Sequence, residues 1–273
     1  MKLLLSLLVA FIVAPFKRAG VAYMERENFG LRSIRAPRSK TGLLPVGVFS
    51  DGSYNDRPAD HCFGIAPGLL DPNRWHIYEN DFDQFIAADW VITETQAGAT
   101  QGLAAGDGGL LALVNSAADD DLNAIQKTPA GFLMEAGKPA VWGCRFKVSD
   151  ATQSDLVVGL QIVDATPLAV SDGIWFQKDD DDTQLDFHVA KGAAQTDVNN
   201  IVLLANDTFL SVEWIYDGET SIFYGVNGVI RGFVPFTNLP NTQDVTVSLA
   251  VQNGDANART LTVDYAMAAK YRG

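Results

Sequence analysis

The sequence has very little cysteine and histidine. Its 273 residues include two cysteines and three histidines. Two cysteines are too few for a disulfide-stabilised scaffold, and His61, His76 and His188 are too far apart in the chain to suggest a zinc site. A Cys62–Cys144 bridge is compatible with the sequence but not required by it. Because Cys144 lies in an alternating apolar run, a small buried side chain is favoured there.

Positive charge is scarce over most of the chain. Residues 1–60 hold nine Lys and Arg against five Asp and Glu, whereas residues 61–273 hold eleven against twenty-eight. An acidic body would be repelled by phosphate, so we expect no nucleic-acid partner. The basic N-terminal part favours attachment to an acidic protein surface or to another copy's body, unless it is only a soluble leader.

Long apolar runs are confined to the N-terminus, where the chain begins MKLLLSLLVAFIVAP. This run is shorter than the ~20 residues of a membrane-spanning helix, so we expect no membrane association. It resembles a secretory signal, although Pro15 and Lys17-Arg18 are unfavourable around a cleavage site. Two other interpretations stay open: translation starting at Met24, or a helix buried against a partner.

Helical periodicity is almost absent, and only the leader and Phe82–Ala87 are helix candidates. From Trp75 onward, short alternating apolar segments are separated by turn residues at intervals of ~8–12, which is typical of a sandwich or barrel. The expected strands are Trp75–Phe82, Trp90–Thr95, Leu110–Asn115, Ala124–Lys127, Val141–Val148, Leu156–Val163, Gly173–Lys178, Gln184–Val189, Asn200–Leu204, Phe209–Tyr216, Ser221–Val226, Val229–Phe233, Val245–Val251 and Thr260–Lys270.

The segment FLSVEWIYDGETSIFYGVNGVIR, from Phe209 to Arg231, predicts two consecutive hairpins. Asp217-Gly218 and Asn227-Gly228 supply the turns between alternating apolar residues. This pattern resembles the central hairpins of laminin-G and concanavalin A-like jelly-roll domains. We therefore predict an all-β protein: a concanavalin A-like antiparallel β-sandwich (jelly roll) over residues 74–273. It is preceded by an extended basic arm (24–73), with short strands expected at 42–49, and by a hydrophobic leader or alternative start (1–23).

An acidic run follows the strand at Gly173–Lys178 and is expected at a hairpin tip. Clustered carboxylate oxygens are ligands that calcium prefers, which makes this run a candidate metal site. Its residues lack the spacing of a dedicated calcium loop, so solvated acids are the alternative; Asp119–Asp121 is interpreted in the same way. The candidate metal ligands are Asp179, Asp180, Asp181 and Asp182.

Tryptophans are the candidate sugar contacts. Trp142 and Trp214 belong to inward-facing patterns and are expected in the core. Trp175 is out of phase with Ile174 and Phe176, which places it on the opposite side of the sheet. There it would contact a sugar or a protein, or pack against a loop or a neighbouring subunit.

Catalytic patterns are not visible in the sequence. Glycosidases of this architecture need two carboxylates flanking the scissile bond, which on one strand predicts a Glu-x-Asp-x-x-Glu type run. Glu94, Glu135, Glu213 and Glu219 instead stand alone. We therefore predict that the protein is not an enzyme and needs no cofactor other than, optionally, calcium.

Residues 74–273 also resemble a structural protein of tailed-bacteriophage virions, of the capsid decoration or head type. The resemblance is carried by ENDFDQFIAADWVITET (79–95), RFKVSDATQSDLVVGLQIVDATPLAVSDGIWF (145–176), QLDFHVAKGAA (184–194), NDTFLSVEWIYDG (206–218) and NLPNTQDVTVSLAVQNGDANARTLTVDY (238–265). It implies a cement protein on the capsid surface whose partner is the major capsid protein.

The resemblance also implies that the basic arm contacts the shell or sister copies, since many weak lattice contacts add up through avidity. Assembly as a homo-oligomer, with a trimer as one form, is expected by analogy alone. The rival interpretation is a secreted or virion-displayed carbohydrate-binding module that would use the leader as a signal. The arm residues expected at the contact are Arg26, Arg32, Arg35, Arg38 and Lys40.

Overall fold

The computed structural model describes residues 72–106 and 108–273, together with the backbone of 25–26 and 32–33. The two short pieces form strands β1 (Glu25–Arg26) and β2 (Arg32–Ser33), which pair antiparallel with Arg26 opposite Arg32. Arg35, Arg38, Lys40 and Cys62 lie outside the described residues, as do the leader and the segment 42–49. The predictions that concern them stay predictions.

Most of the described chain forms two antiparallel sheets that pack face to face, which confirms the predicted β-sandwich. The seven-stranded sheet has the order β12-β11-β10-β9-β16-β7-β4. Its strands are β4 (Trp90–Glu94), β7 (Leu122–Lys127), β9 (Ser154–Gln161), β10 (Gly173–Lys178), β11 (Gln184–Lys191), β12 (Ala194–Leu203) and β16 (Thr246–Asn253).

The eight-stranded sheet has the order β15-β14-β13-β8-β17-β6-β5, and β3 pairs with β17 beyond the end of β6. Its strands are β3 (Trp75–Asn80), β5 (Thr100–Ala104), β6 (Leu110–Val114), β8 (Ala140–Val148), β13 (Leu210–Tyr216), β14 (Ser221–Val226), β15 (Val229–Pro235) and β17 (Thr260–Tyr271).

The main core fills the space between the two sheets. Trp142 and Trp214 are fully buried in it, as predicted, and the Trp142 ring stacks on Phe176 of the other sheet at 6.0 Å between centroids. Cys144 is a free thiol in this layer, and burial raises its pKa well above the usual value. Alternating strand residues therefore supply one continuous apolar layer.

The two predicted hairpin turns are confirmed. Asn227 and Gly228 both have positive φ, 52° and 72°, as a two-residue turn between twisted strands requires. At the other turn, the Asp217 Oδ1 atom accepts hydrogen bonds from the backbone N–H groups of Glu219, Thr220 and Ser221 at 2.7–3.1 Å. Local turn chemistry thus fixes the register of β13, β14 and β15.

Three local expectations differ from the structure. Strand β5 was not anticipated, and β12 begins six residues before the predicted strand at Asn200. The predicted helix at 82–87 is wrong: Phe82 has φ 50°, donates its N–H to Asn80 Oδ1 and is fully buried, and only a 3-10 turn follows at Ala87–Asp89. Core burial of one aromatic ring overrides the weak helical pattern here.

The expectation of solvated acids at 119–121 fails for Asp121, which is fully buried. Its Oδ2 atom accepts the Ser116 N–H at 2.6 Å and its Oδ1 atom accepts the Thr95 hydroxyl at 3.2 Å. The carboxylate is thus a structural hydrogen-bond acceptor.

The described residues contain no helix that is both long enough and apolar enough to cross a membrane.

Candidate functional site

The outer faces of the two sheets differ in chemistry. Across the seven-stranded sheet, one cross-strand row is rich in polar and ring side chains; across the eight-stranded sheet, the equivalent row is apolar. The first row is Asp197, His188, Trp175, Gly159, Ser248, Gln126 and Val91. The second is Phe233, Phe223, Ile215, Val141, Ala269 and Ile77. The polar face is the candidate site.

Trp175 lies at the centre of the polar face, on the side that its phase predicts. A Cβ atom on Gly159 would lie 2.4 Å from the Trp175 Cβ, so the cross-strand neighbour must be glycine. The indole Nε1 donates to Gln177 Oε1 at 2.8 Å, and the ring stacks on His188 with centroids 5.2 Å apart and planes at 21°. The indole is therefore held in one orientation.

His188 is itself hydrogen-bonded on its open side. Its Nδ1 atom lies 2.7 Å from Asp197 Oδ1 and 2.7 Å from Gln195 Nε2. The Asp197 side chain is 44% exposed, whereas that of His188 is 11% exposed. A carboxylate and an amide thus stand at the solvent edge of the aromatic pair, where they can reach an external ligand.

Three aspartates from different strands and turns share the neighbouring part of the face. Burial raises the pKa of Asp155 on β9, and the charges of Asp179 and Asp180 add to the rise. Burial also raises the pKa of Asp186 on β11, with Asp179 and Asp182 adding to the rise. Asp179 therefore acts on both carboxyl groups, and this part of the face has a negative potential. We call Asp155, Asp179, Asp186, His188 and Asp197 the polar patch.

Lys178 supports this region from the opposite side of β10. Its side chain is fully buried, and its Nζ donates to Thr152 O at 2.8 Å and to Ser154 O. Burial lowers the pKa of Lys178, and the nearby carboxylates of Asp155 and Asp180 act against this. The ammonium group thus compensates charge beneath the patch without reaching its surface.

The predicted acidic run does lie at the β10–β11 turn, but its carboxylates point to separate partners. Asp179 Oδ1 accepts from Gln177 at 2.8 Å, Asp181 Oδ1 from Gln153 at 2.6 Å, and Asp182 Oδ1 from the backbone of Gln184 at 2.9 Å. The Asp180 N–H donates to Asp155 at 2.8 Å. Among residues 72–106 and 108–273, no group of three or more His, Cys, Asp or Glu side chains is placed to hold a metal ion.

A loop covers the centre of the polar face. We call residues 162–172, which join β9 to β10, the strap; it contains a 3-10 turn at Pro167–Ala169. Val170 and Leu168 of the strap pack on Trp175 and its apolar neighbours, and Trp175 is only 2% exposed as a result. The neighbours are Leu122, Ala124, Val157, Ala190 and Ala250. Of the roles considered for Trp175, packing against a loop is the one observed.

Sequence reasoning missed most of the polar patch. Asp186 and His188 lie out of phase with the apolar residues of β11, just as Trp175 does on β10. That phase was a usable signal. Asp155 is likewise out of phase with Leu156 and Val158 of β9, whereas Asp197 had no such signal, because its nearness to the patch depends on the pairing order of strands.

Comparison with known proteins identifies the fold of this chain but no family. No protein-family model and no curated protein matches the chain. An endo-1,3-β-glucanase from Streptomyces sioyaensis has a TM-score of 0.55 and 14% identity over 76% of this chain and 99% of its own. The β-glucanase of Bacillus licheniformis gives 0.52 and 12% over 72% and 98%. The carbohydrate recognition domain of Emp47p gives 0.52 and 10% over 73% and 98%.

These similarities correct the prediction that the protein is not an enzyme, because two of the three neighbours are glucanases by name. That prediction required the acids to lie on one strand, whereas the patch gathers acids from several. None of the three is a virion protein by name. What the comparisons show is a concanavalin A-like jelly roll, shared with glucanases and a carbohydrate recognition domain.

Proposed function

We propose that the protein binds carbohydrate through the outer face of its seven-stranded sheet. The observation that carries this proposal is the polar patch around Trp175: imidazole, carboxylate and amide groups surround one oriented aromatic ring. Sugars offer hydroxyl groups to such polar side chains and an apolar C–H face to a ring. The neighbours that are named as glucanases and as a carbohydrate recognition domain support the choice of ligand class.

A matched pair of aspartate variants tests the proposal. Asp197 and Asp207 are both exposed, and each contacts one basic side chain, His188 at 2.7 Å and Lys147 at 3.5 Å respectively. We expect Asp197→Asn to weaken glycan binding at least about tenfold, because a hydrogen bond to a charged group contributes ~1.5–3 kcal/mol. Asp207 pairs with Lys147 of the eight-stranded sheet, away from the polar patch, so Asp207→Asn should bind glycan like the unmodified protein.

The binding measurement starts with β-1,3-glucan and mixed-linkage β-glucan oligosaccharides on an array, followed by calorimetry. Binding that is equally strong in both variants would move the site away from the patch. If no oligosaccharide binds the unmodified protein or any variant of it, the proposal is wrong.

Glycan cleavage is a second candidate function, favoured by one observation. Asp155 and Asp186 both have a raised pKa and both are influenced by Asp179. A carboxyl group whose pKa is raised by burial is the kind of group that general acid catalysis uses. Mass spectrometry of oligosaccharides incubated with the protein, and with Asp186→Asn, tests this: products that persist in the variant would exclude Asp186.

The role as a capsid decoration protein rests on the sequence resemblance alone. Three further proposals depend on the same resemblance: that the partner is the major capsid protein, that the protein assembles as a trimer, and that it is located on the virion. Co-sedimentation of the purified protein with virus heads tests them together. This role is compatible with carbohydrate binding, because the protein could display a glycan-binding face on a particle. Mass determination of the native N-terminus tests the alternative of secretion, since processing near residue 22 would favour it.

A further inference from the structure

The strap, residues 162–172, closes over the face that we propose binds carbohydrate. Its two ends are fixed by a backbone hydrogen bond from Ile162 N–H to Asp172 O at 3.1 Å. Between these ends, Leu168 and Val170 pack on the face next to Trp175, and Pro167 is buried. The strap is therefore a loop with a firm base and a small apolar contact.

Glutamine side chains make further attachments of the strap, in addition to a backbone hydrogen bond from the Ala193 N–H to Ser171 O at 2.9 Å. Gln126 donates to Ile162 O at 2.9 Å and accepts the Asp164 N–H at 2.8 Å. Gln161 donates to Pro167 O at 3.0 Å, and Gln177 donates weakly to Leu168 O at 3.4 Å. Side-chain amides of this kind can exchange a backbone partner for a hydroxyl group at little cost.

One of these amides is incompletely paired when the strap is closed. Gln161 is fully buried, and among the residues that the structure describes its Oε1 atom has no hydrogen-bond partner. The Asp172 Oδ1 atom at the strap's base is in the same situation, with Asp172 only 3% exposed. Buried acceptors without donors cost free energy, so the closed strap is less stable than its packing alone suggests.

The surface beneath the strap has the chemistry of a sugar subsite. The Trp175 ring stacks on His188 and shares one apolar cluster with Leu168 and Val170 of the strap. Gln161 lies on the neighbouring strand β9 and Gln126 lies on β7, and both amides bond to the strap that covers this part of the face. A pyranose ring could stack its C–H face on the indole and donate hydroxyl hydrogens to the unpaired Gln161 oxygen.

We propose that the strap is a gate: it hides a sugar subsite formed by Trp175, Gln126 and Gln161, and glycan binding requires its displacement. This inference rests on the proposed carbohydrate binding and adds its regulation. The apparent affinity of such a site is lowered by the fraction of molecules in which the strap is closed. Loosening the strap should therefore tighten binding.

Two valines of the strap give a matched test. Val170 is 5% exposed and packs on the face, whereas Val163 is 43% exposed. We expect Val170→Ala to bind β-glucan oligosaccharides about three- to tenfold more tightly than the unmodified protein, because a larger fraction is open. Val163→Ala should leave the affinity unchanged, and Trp175→Phe in the Val170→Ala background should remove the gain.

Acrylamide quenching of tryptophan fluorescence without glycan provides a second readout. Val170→Ala should increase quenching, and Trp175→Phe should abolish the increase, since Trp175 packs in the same apolar cluster as Val170 whereas the other four tryptophans belong to other clusters and are at most 7% exposed. If Val170→Ala binds glycan no better than the unmodified protein and quenching does not change, the gate is wrong while carbohydrate binding stands. Absence of glycan binding in every variant would instead overturn the proposed function itself.

Discussion

The burial of Glu213 predicts how the free energy of unfolding depends on pH, and by how much. It lies on the outer face of the eight-stranded sheet between Gly143 and Gly225, and it is 1% exposed. Burial raises the pKa of Glu213 from 4.5 to about 8, although its Oε1 atom accepts the Gly228 N–H at 2.8 Å. Between these two values the folded protein keeps a proton that the unfolded chain has released.

The stability contributed by this group is therefore fully present below about pH 4.5 and falls as pH rises towards about 8. At 1.36 kcal/mol per pKa unit, the loss is about 3 kcal/mol at pH 7 and reaches about 5 kcal/mol above pH 8. Glu213→Gln keeps a neutral acceptor for Gly228 and does not titrate. We expect the variant to match the unmodified protein near pH 4 and to be more stable by about 3 kcal/mol at pH 7.

The assay is urea unfolding of both proteins at a series of pH values, analysed as the difference between them. The difference removes the contributions of all other titrating groups that the two proteins share. Glu219→Gln, at an exposed turn position, is the control and should give no pH-dependent difference. A Glu213→Gln difference that is flat with pH, or that grows towards acid pH, would refute a buried, protonated Glu213.

Two further predictions concern buried polar groups. Lys178→Met should destabilise the fold by about 3–5 kcal/mol in urea unfolding, because Thr152 O and Ser154 O lose their donor and nearby aspartates lose a compensating charge. Lys147→Met, which breaks an exposed pair with Asp207, should cost less than about 1 kcal/mol; equal losses would show that burial is not the cause. Asn253→Ala should cost more than about 3 kcal/mol, since it removes partners from the carbonyls of Ser116 and Ala118 and from the Arg259 N–H. Asn257→Ala, at an exposed position, should stay within about 0.5 kcal/mol, and a similar effect of both would contradict the role of the buried amide.

The strands were predictable wherever alternation and turn chemistry agreed. Gly173–Lys178 and Ser221–Val226 have the bounds that the sequence predicts, because each ends at a turn with its own signal. Strand β12 began earlier than expected because its residues from Ala194 onward are exposed or half-buried, so its edge position leaves little alternation to detect. Phe82 misled the prediction because its burial depends on a distant part of the chain.

The candidate site was harder to predict than the strands, and pairing order is the physical reason. Along one strand, a sequence shows which side chains share a face, so Trp175 could be placed on the outer face of β10. Between strands, neighbours on that face are ~5 Å apart whatever their distance in the chain. Strand β16 joins β9 and β7 in this way, and it brings Ser248 beside Gly159 and Gln126. A search for catalytic or binding residues along single strands finds only neighbours within one strand and misses neighbours on paired strands. The acids of the polar patch are neighbours across strands, which is why the missing Glu-x-Asp-x-x-Glu run was a poor argument against catalysis.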